Sequence, residues 1–221
     1  MSAAFSSNAR ANQEKIVDLL KKVAVIPVIT IDRLEDAVPL AEALIAGGIN
    51  HLEITLRSPV ALQGAQEIIK KVPGAIVGIG TALTPDDFKK SADIGAQFIL
   101  SPGATPKLLE AAAQSSLPFI PGVATASEIM TAQEFGFFIM KFFPASTSGG
   151  KDALKGFYGP FANILFCPTG GISYENFMEW RALPNVITVG GSWLTPKDMI
   201  RSGNWSGITK LAKDATSATQ Q

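Results

Sequence analysis

Short runs of β-branched and aromatic residues recur along this chain at intervals of roughly 20 to 30 residues, each followed by a segment of helical periodicity. Parallel strands need crossover connections of this kind, so the alternation restricts the chain to a sheet of repeated βα units. Eight strands are expected, over residues 23–30, 51–57, 75–81, 98–102, 118–123, 138–144, 164–170 and 186–192. Residues 34–46 illustrate the helices between them, with Leu34, Val38, Ala41 and Ile45 at three- and four-residue spacing on one face. Eight such units in 221 residues predict an α/β chain folded as one (β/α)8 TIM barrel, in a single domain over residues 1–221 with the barrel at about 23–213. A Rossmann-like open sheet is the nearest competitor, and no Gly-x-Gly-x-x-Gly follows the first strand.

Residues 12–22 read as an extra amphipathic N-terminal helix, with Ile16, Leu19 and Leu20 on the face expected to cover the barrel floor. Residues 198–217 should hold one or two helices, and the Ser/Thr/Gln-rich end at 216–221 should fray. Nineteen basic residues balance nineteen acidic ones, so no global field draws in nucleic acid or an anionic membrane. Apolar stretches are too short for a bilayer, and residues 1–13 are polar with no apolar core of a secretory signal. The expected location is the cytoplasm. One cysteine, Cys167, and one histidine, His51, give no disulfide framework and make a nitrogen–sulfur zinc site a poor fit, so no metal or cofactor is expected. His51 reads as a packed or capping residue.

Lys141 is the one cation in the apolar run Phe137-Phe138-Ile139-Met140-Lys141-Phe142-Phe143-Pro144. A buried ammonium finds a partner or gives up its proton, and a neutral lysine is a nucleophile suited to Schiff-base formation. The alternative is a lysine on an edge strand whose head reaches water. Glu53, Thr55 and Arg57 alternate with Leu52, Ile54 and Leu56, so the polar three share one strand face. An outward structural Glu–Arg pair would explain them. Strands buried on both faces normally read as continuous apolar runs, however, and that favours a site. Active sites of such barrels lie at the C-terminal strand ends. There stand Thr81 after Gly78-Ile79-Gly80, Pro102 within Ser101-Pro102-Gly103, Thr169-Gly170-Gly171, and Gly190-Gly191-Ser192. Plain turn chemistry accounts for the fourth-strand residues, whereas the last two glycine loops fall where barrels often hold phosphate on backbone N–H groups. Together these residues describe an anionic sugar-acid phosphate that reacts through an imine on Lys141, with Arg57 and Thr81 at its carboxylate and Glu53 moving protons.

The segments Gly48-Ile49-Asn50-His51-Leu52-Glu53-Ile54-Thr55-Leu56-Arg57 and Lys141-Phe142-Phe143-Pro144-Ala145 resemble the glutamate and lysine segments of the class I 2-keto-3-deoxy-6-phosphogluconate (KDPG) and 2-keto-4-hydroxyglutarate (KHG) aldolases. Gly78-Ile79-Gly80-Thr81, Leu100-Ser101-Pro102-Gly103, Phe166-Cys167-Pro168-Thr169-Gly170-Gly171-Ile172-Ser173 and Gly190-Gly191-Ser192-Trp193-Leu194 extend the resemblance over about residues 23–213. It implies a homotrimeric barrel without a cofactor that cleaves a small 2-keto acid phosphate to pyruvate and glyceraldehyde 3-phosphate. In that scheme Lys141 forms the imine and Glu53 transfers protons. Arg57, Thr81 and Pro102 surround the pyruvyl carboxylate, Phe143 packs over the imine, and Thr169 lies near the substrate hydroxyls. Gly170, Gly171, Gly191 and Ser192 receive the phosphate.

The chain departs from the family pattern at Ile79, where alanine is expected and the larger side chain should narrow the pocket. It departs again at Ala145-Ser146, where alanine–glutamate is common, and at Val123-Ala124-Thr125. Two other classes remain open from the residues alone. One is a phosphate-binding barrel isomerase or epimerase with Glu53 as base and no covalent step; the other is a noncatalytic sugar-phosphate binding protein.

Overall fold

The computed structural model describes residues 3–219 as an α/β fold built on parallel strands. The strands are β1 Ile26–Ile29, β2 His51–Thr55, β3 Ile76–Gly80, β4 Phe98–Leu100, β5 Phe119–Ile120, β6 Gly122–Val123, β7 Ile139–Phe142, β8 Leu165–Pro168 and β9 Gly190–Gly191. The helices are α1 Ala3–Leu20, α2 Ala37–Ala46, α3 Ala61–Lys71, α4 Pro85–Asp93, α5 Pro106–Gln114, α6 Ala126–Glu134, α7 Gly150–Tyr158, α8 Phe177–Arg181, α9 Lys197–Arg201 and α10 Trp205–Ala218. One sheet runs β5-β4-β3-β2-β1-β9 and a second runs β6-β7-β8. At one margin the sheets share the segment through Pro121, whose carbonyl accepts the Lys141 N–H at 2.8 Å. At the other, single bridges join Thr169 to Gly190 and Phe166 to Val186.

Alternation along the strands sorts the apolar side chains into two layers. Ile26, Phe98, Leu100, Ile120, Ile139 and Cys167 form an inner cluster with Ile16 and Leu20 of α1. Ile29, Leu52, Ile54, Val77, Ile79 and Ile99 pack outward with helix residues such as Leu40, Leu44 and Ile68. Burying each such side chain contributes about 1.5 to 3 kcal/mol, so both layers resist a register slip. Ile79 therefore does not narrow the pocket. It is paired with Ile54 and Ile99 and lies on the outer side, fully buried. Thr125 caps α6 reciprocally, accepting from the Glu128 N–H at 3.3 Å while its own N–H donates to Glu128 Oε2 at 2.9 Å.

Helix α1 begins well before residue 12 because its upstream part has partners of its own. Asn8 and Asn12 donate to the Ser115 carbonyl at the end of α5, at 3.1 and 3.0 Å. Gln13 is fully buried; its Nε2 donates to Phe119 O at 2.7 Å, and its Oε1 accepts from Phe138 N at 2.9 Å and Ile139 N at 2.6 Å. One side chain thus supplies the hydrogen bonds where the two sheets part.

All eight expected strands are shorter than their apolar runs, and at the first and fifth the reason is visible. The carbonyls of Val23 and Ala24 are taken by Arg181, both at 2.7 Å, so β1 starts only at Ile26. Pro121 has no N–H and divides the fifth segment into β5 and β6. The last ladder shrinks to Gly190–Gly191, with Val186 left in a single bridge. The tail is also more ordered than its composition suggests: α10 runs to Ala218, and Thr216 Oγ1 donates to Gly47 O at 3.1 Å. Gln220 and Gln221 lie outside the described residues.

Replacing Gln13 with alanine strips partners from three backbone groups, two of them beside fully buried residues. The expected loss is about 2 to 4 kcal/mol of unfolding free energy in urea titration. A loss below about 0.5 kcal/mol would show that this glutamine does not tie the sheets together.

Candidate active site

The lower part of the inner face is closed by the apolar cluster and α1, so polar side chains gather at the C-terminal strand ends. Lys141 on β7 is 5% exposed and Glu53 on β2 is 1% exposed. Lys141 Nζ meets Glu53 Oε1 at 2.8 Å. Both proposed alternatives for these residues therefore fail: the lysine head turns inward and is almost wholly buried, and the glutamate is paired with Lys141 rather than with Arg57. Each ion alone would lose several kcal/mol of solvation, which their mutual attraction offsets. The ammonium also lies 5.5 Å from the centroid of the Phe143 ring.

Glycine makes room for this pair. A Cβ at Gly80, on the neighbouring strand, would overlap the Glu53 carboxylate. Thr81 follows with φ 61°, the one positive φ at a non-glycine residue among those described. For a β-branched residue that conformation costs about 1 to 3 kcal/mol, strain of a kind that collects at functional sites.

Around the pair opens a cavity of about 270 Å³. Of the residues singled out in the sequence, Glu53, Arg57, Thr81, Pro102, Lys141, Phe143, Thr169, Gly170, Gly171 and Ser192 all line it. Gly191 does not. Alternation turns its Cα toward the Trp193 indole, which a Cβ there would overlap, and it is Gly190 that faces the cavity. Val28, Thr55 and Ile172 complete the lining and were not anticipated as site residues. The signal for Thr55 was its shared face with Glu53; its hydroxyl donates to Ile29 O at 2.8 Å and lies 3.1 Å from Thr30 Oγ1.

Charge is distributed unevenly over this lining. Arg57 is exposed at the mouth and has no carboxylate within ion-pair distance among the described residues. Across the cavity, Gly170 and Gly171 take φ values of 100° and 75°. The N–H groups of Gly171, Ile172 and Ser192 have no backbone acceptor among the described residues. A guanidinium on one side and free amides on the other suit a ligand carrying anionic groups at both ends.

Two titratable neighbours stay neutral. Burial pushes the Cys167 thiol up to about 12. Desolvation lowers His51 to about 4; its Nδ1 lies 2.8 Å from Asn50 Oδ1, and the ring does not line the cavity. Among the described residues, no group of three His, Cys, Asp or Glu side chains is arranged to hold a metal ion.

A family model described as "Aldolase: KDPG and KHG aldolase" matches residues 16–211. The chain is 48% identical to the KHG/KDPG aldolase of Escherichia coli K12 over 191 residues, 86% of this chain and 90% of that protein. It is 49% identical over the same length to the 2-dehydro-3-deoxy-phosphogluconate aldolase of Dickeya dadantii, again covering 86% and 90%. Among solved structures, the KDPG aldolase of Legionella pneumophila, with pyruvate captured as a covalent carbinolamine, superposes with a TM-score of 0.88 at 47% identity, covering 90% of this chain and 97% of that one. The Zymomonas mobilis enzyme with 3-phosphoglycerate gives 0.85 at 40% identity, covering 90% and 94%.

A methyl group at residue 80 must displace the Glu53 carboxylate. Gly80→Ala is therefore expected to lower kcat by about 100-fold with the fold retained, since ångström-scale misplacement of a reacting group has effects of that size. Steady-state kinetics and circular dichroism on the variant check this; a kcat within twofold of the parent contradicts it.

Proposed function

This chain belongs to the KDPG and KHG aldolase family, and from that premise we propose that it is a class I aldolase, a lyase that cleaves 2-keto-3-deoxy-6-phosphogluconate to pyruvate and glyceraldehyde 3-phosphate. The observation that carries this reading is the buried contact of Lys141 Nζ with Glu53 Oε1 at 2.8 Å beside a cavity with anion-binding groups at both ends. Glu53 is in reach to take a proton from Lys141 and leave a neutral amine. The amine attacks the C2 carbonyl carbon to form a carbinolamine. Glu53 returns the proton to the departing hydroxyl, and loss of water gives an iminium that withdraws electrons from C3. Glu53, again a carboxylate, accepts the C4 hydroxyl proton as the C3–C4 bond breaks. Glyceraldehyde 3-phosphate leaves, the enamine is protonated at C3, and hydrolysis of the resulting iminium frees pyruvate and Lys141.

In this scheme Arg57 and Thr81 bind the pyruvyl carboxylate with Pro102 beside it. Phe143 packs over the imine and Thr169 meets the substrate hydroxyls. The free N–H groups at Gly171 and Ser192, with Gly170, receive the phosphate. A relative holding 3-phosphoglycerate and another holding covalent pyruvate support the two halves of this assignment. Cleavage of 2-keto-4-hydroxyglutarate is a second activity, favoured by the name of the E. coli relative.

The scaffold we propose is a closed (β/α)8 barrel in one domain, with α1 as an added helix across its floor. The shared segment at Pro121 and the bridges at Thr169 and Phe166 support closure. A homotrimer in the cytoplasm completes the reading. No described helix is long and apolar enough to cross a membrane.

The decisive comparison uses purified protein with 2-keto-3-deoxy-6-phosphogluconate and a lactate dehydrogenase-coupled assay for pyruvate. The parent protein should turn over, and Lys141→Arg, which keeps the charge but not an attacking amine, should lose about 10³-fold or more of kcat. An isomerase or epimerase using Glu53 alone predicts appreciable activity in that variant and no pyruvate from the parent. A noncatalytic binding protein predicts no turnover at all.

A further inference from the structure

We propose that Ser146 is a positioning residue for phosphate recognition: it holds the Gly170–Gly171 peptide so that the Gly171 N–H faces the bound phosphate. The proposal rests on the phosphate reading above. Ser146 lies on the loop leaving β7, the strand of Lys141, and does not line the cavity. Its Oγ donates to Gly170 O at 2.9 Å and its backbone N–H donates to the same oxygen at 3.1 Å. The Ala145 N–H donates to Thr169 O at 2.8 Å, so three donors from this loop grip two consecutive carbonyls.

The consequence follows from peptide geometry. In a trans peptide the C=O and the next N–H point in opposite directions. With Gly170 O drawn toward Ser146, the Gly171 N–H is aimed away from that loop, and it has no backbone acceptor among the described residues. Two successive glycines at positive φ leave this segment free to rotate its peptide planes, so its orientation must be imposed from outside. Ser146 imposes it at close range: a Cβ at Gly171 would overlap the serine hydroxyl. The serine thus links the strand that carries the reacting amine to the loop that receives the phosphate.

Kinetics on two substrates test the proposal. Ser146→Ala removes one of the two donors to Gly170 O and is expected to raise KM for 2-keto-3-deoxy-6-phosphogluconate about tenfold. Its kcat should stay within twofold, and KM for unphosphorylated 2-keto-4-hydroxyglutarate should be unchanged. Ser146→Thr, which keeps a hydroxyl, should restore most of the lost affinity. Equal KM increases for both substrates, or no increase for either, overturn the assignment of Ser146 while leaving the phosphate loop in place. A parent protein that turns over both substrates with no lower KM for the phosphorylated one overturns the phosphate reading itself, and this proposal with it.

Discussion

Lys141 and Glu53 form an ion pair that spans the inner face between two strands with no ladder of their own in common. Glu53 is placed by the pairing of β2 with β1 and β3, and Lys141 by the pairing of β7 with β6 and β8. The contact at 2.8 Å therefore exists only when both sheets hold their register. A slip of one residue in β7 would turn Lys141 into the outer layer and Met140 or Phe142 into the cavity. Removing one partner would leave a buried charge without compensation, at a cost of about 3 to 5 kcal/mol. Specificity of fold and readiness for chemistry thus depend on the same contact.

The rest of the structure serves to isolate that pair. The inner apolar cluster and α1 close the space below it, so water and ligand reach it from the mouth alone. Cys167, opposite Lys141 in the ladder, keeps its proton because burial disfavours the thiolate. His51 stays neutral for the same physical reason at the start of the strand that carries Glu53. Neither neighbour therefore adds a charge beside the Lys141–Glu53 pair. Small residues provide the space, since Gly80 leaves room for the carboxylate and Gly190 leaves room beside Thr169.

Much of the site was legible in the sequence because it depends on period-two alternation. The same rule that put Glu53 and Thr55 on one face of β2 put Leu52 and Ile54 on the other, and a lysine inside an apolar run announced a buried cation. At two positions the expectation came from the family resemblance, and alternation corrects it. Ile79 belongs with Ile54 on the outer side, and Gly191 alternates with Gly190 so that only the latter faces the cavity. Features that depend on hydrogen bonds between distant side chains and backbone were not legible. Nothing in the local sequence announces that Arg181 occupies the carbonyls before β1, that Gln13 stitches β5 to β7, or that Ser146 holds Gly170.

The central claim is that Lys141 attacks a ketone carbon and forms an imine. It is tested most directly by incubating the folded protein with pyruvate and borohydride and mapping the reduced adduct by peptide mass spectrometry. One pyruvyl modification is expected, on Lys141, absent when borohydride is omitted and absent from Lys141→Ala. An unmodified Lys141 in folded protein, or a reduced adduct confined to another lysine, would contradict it.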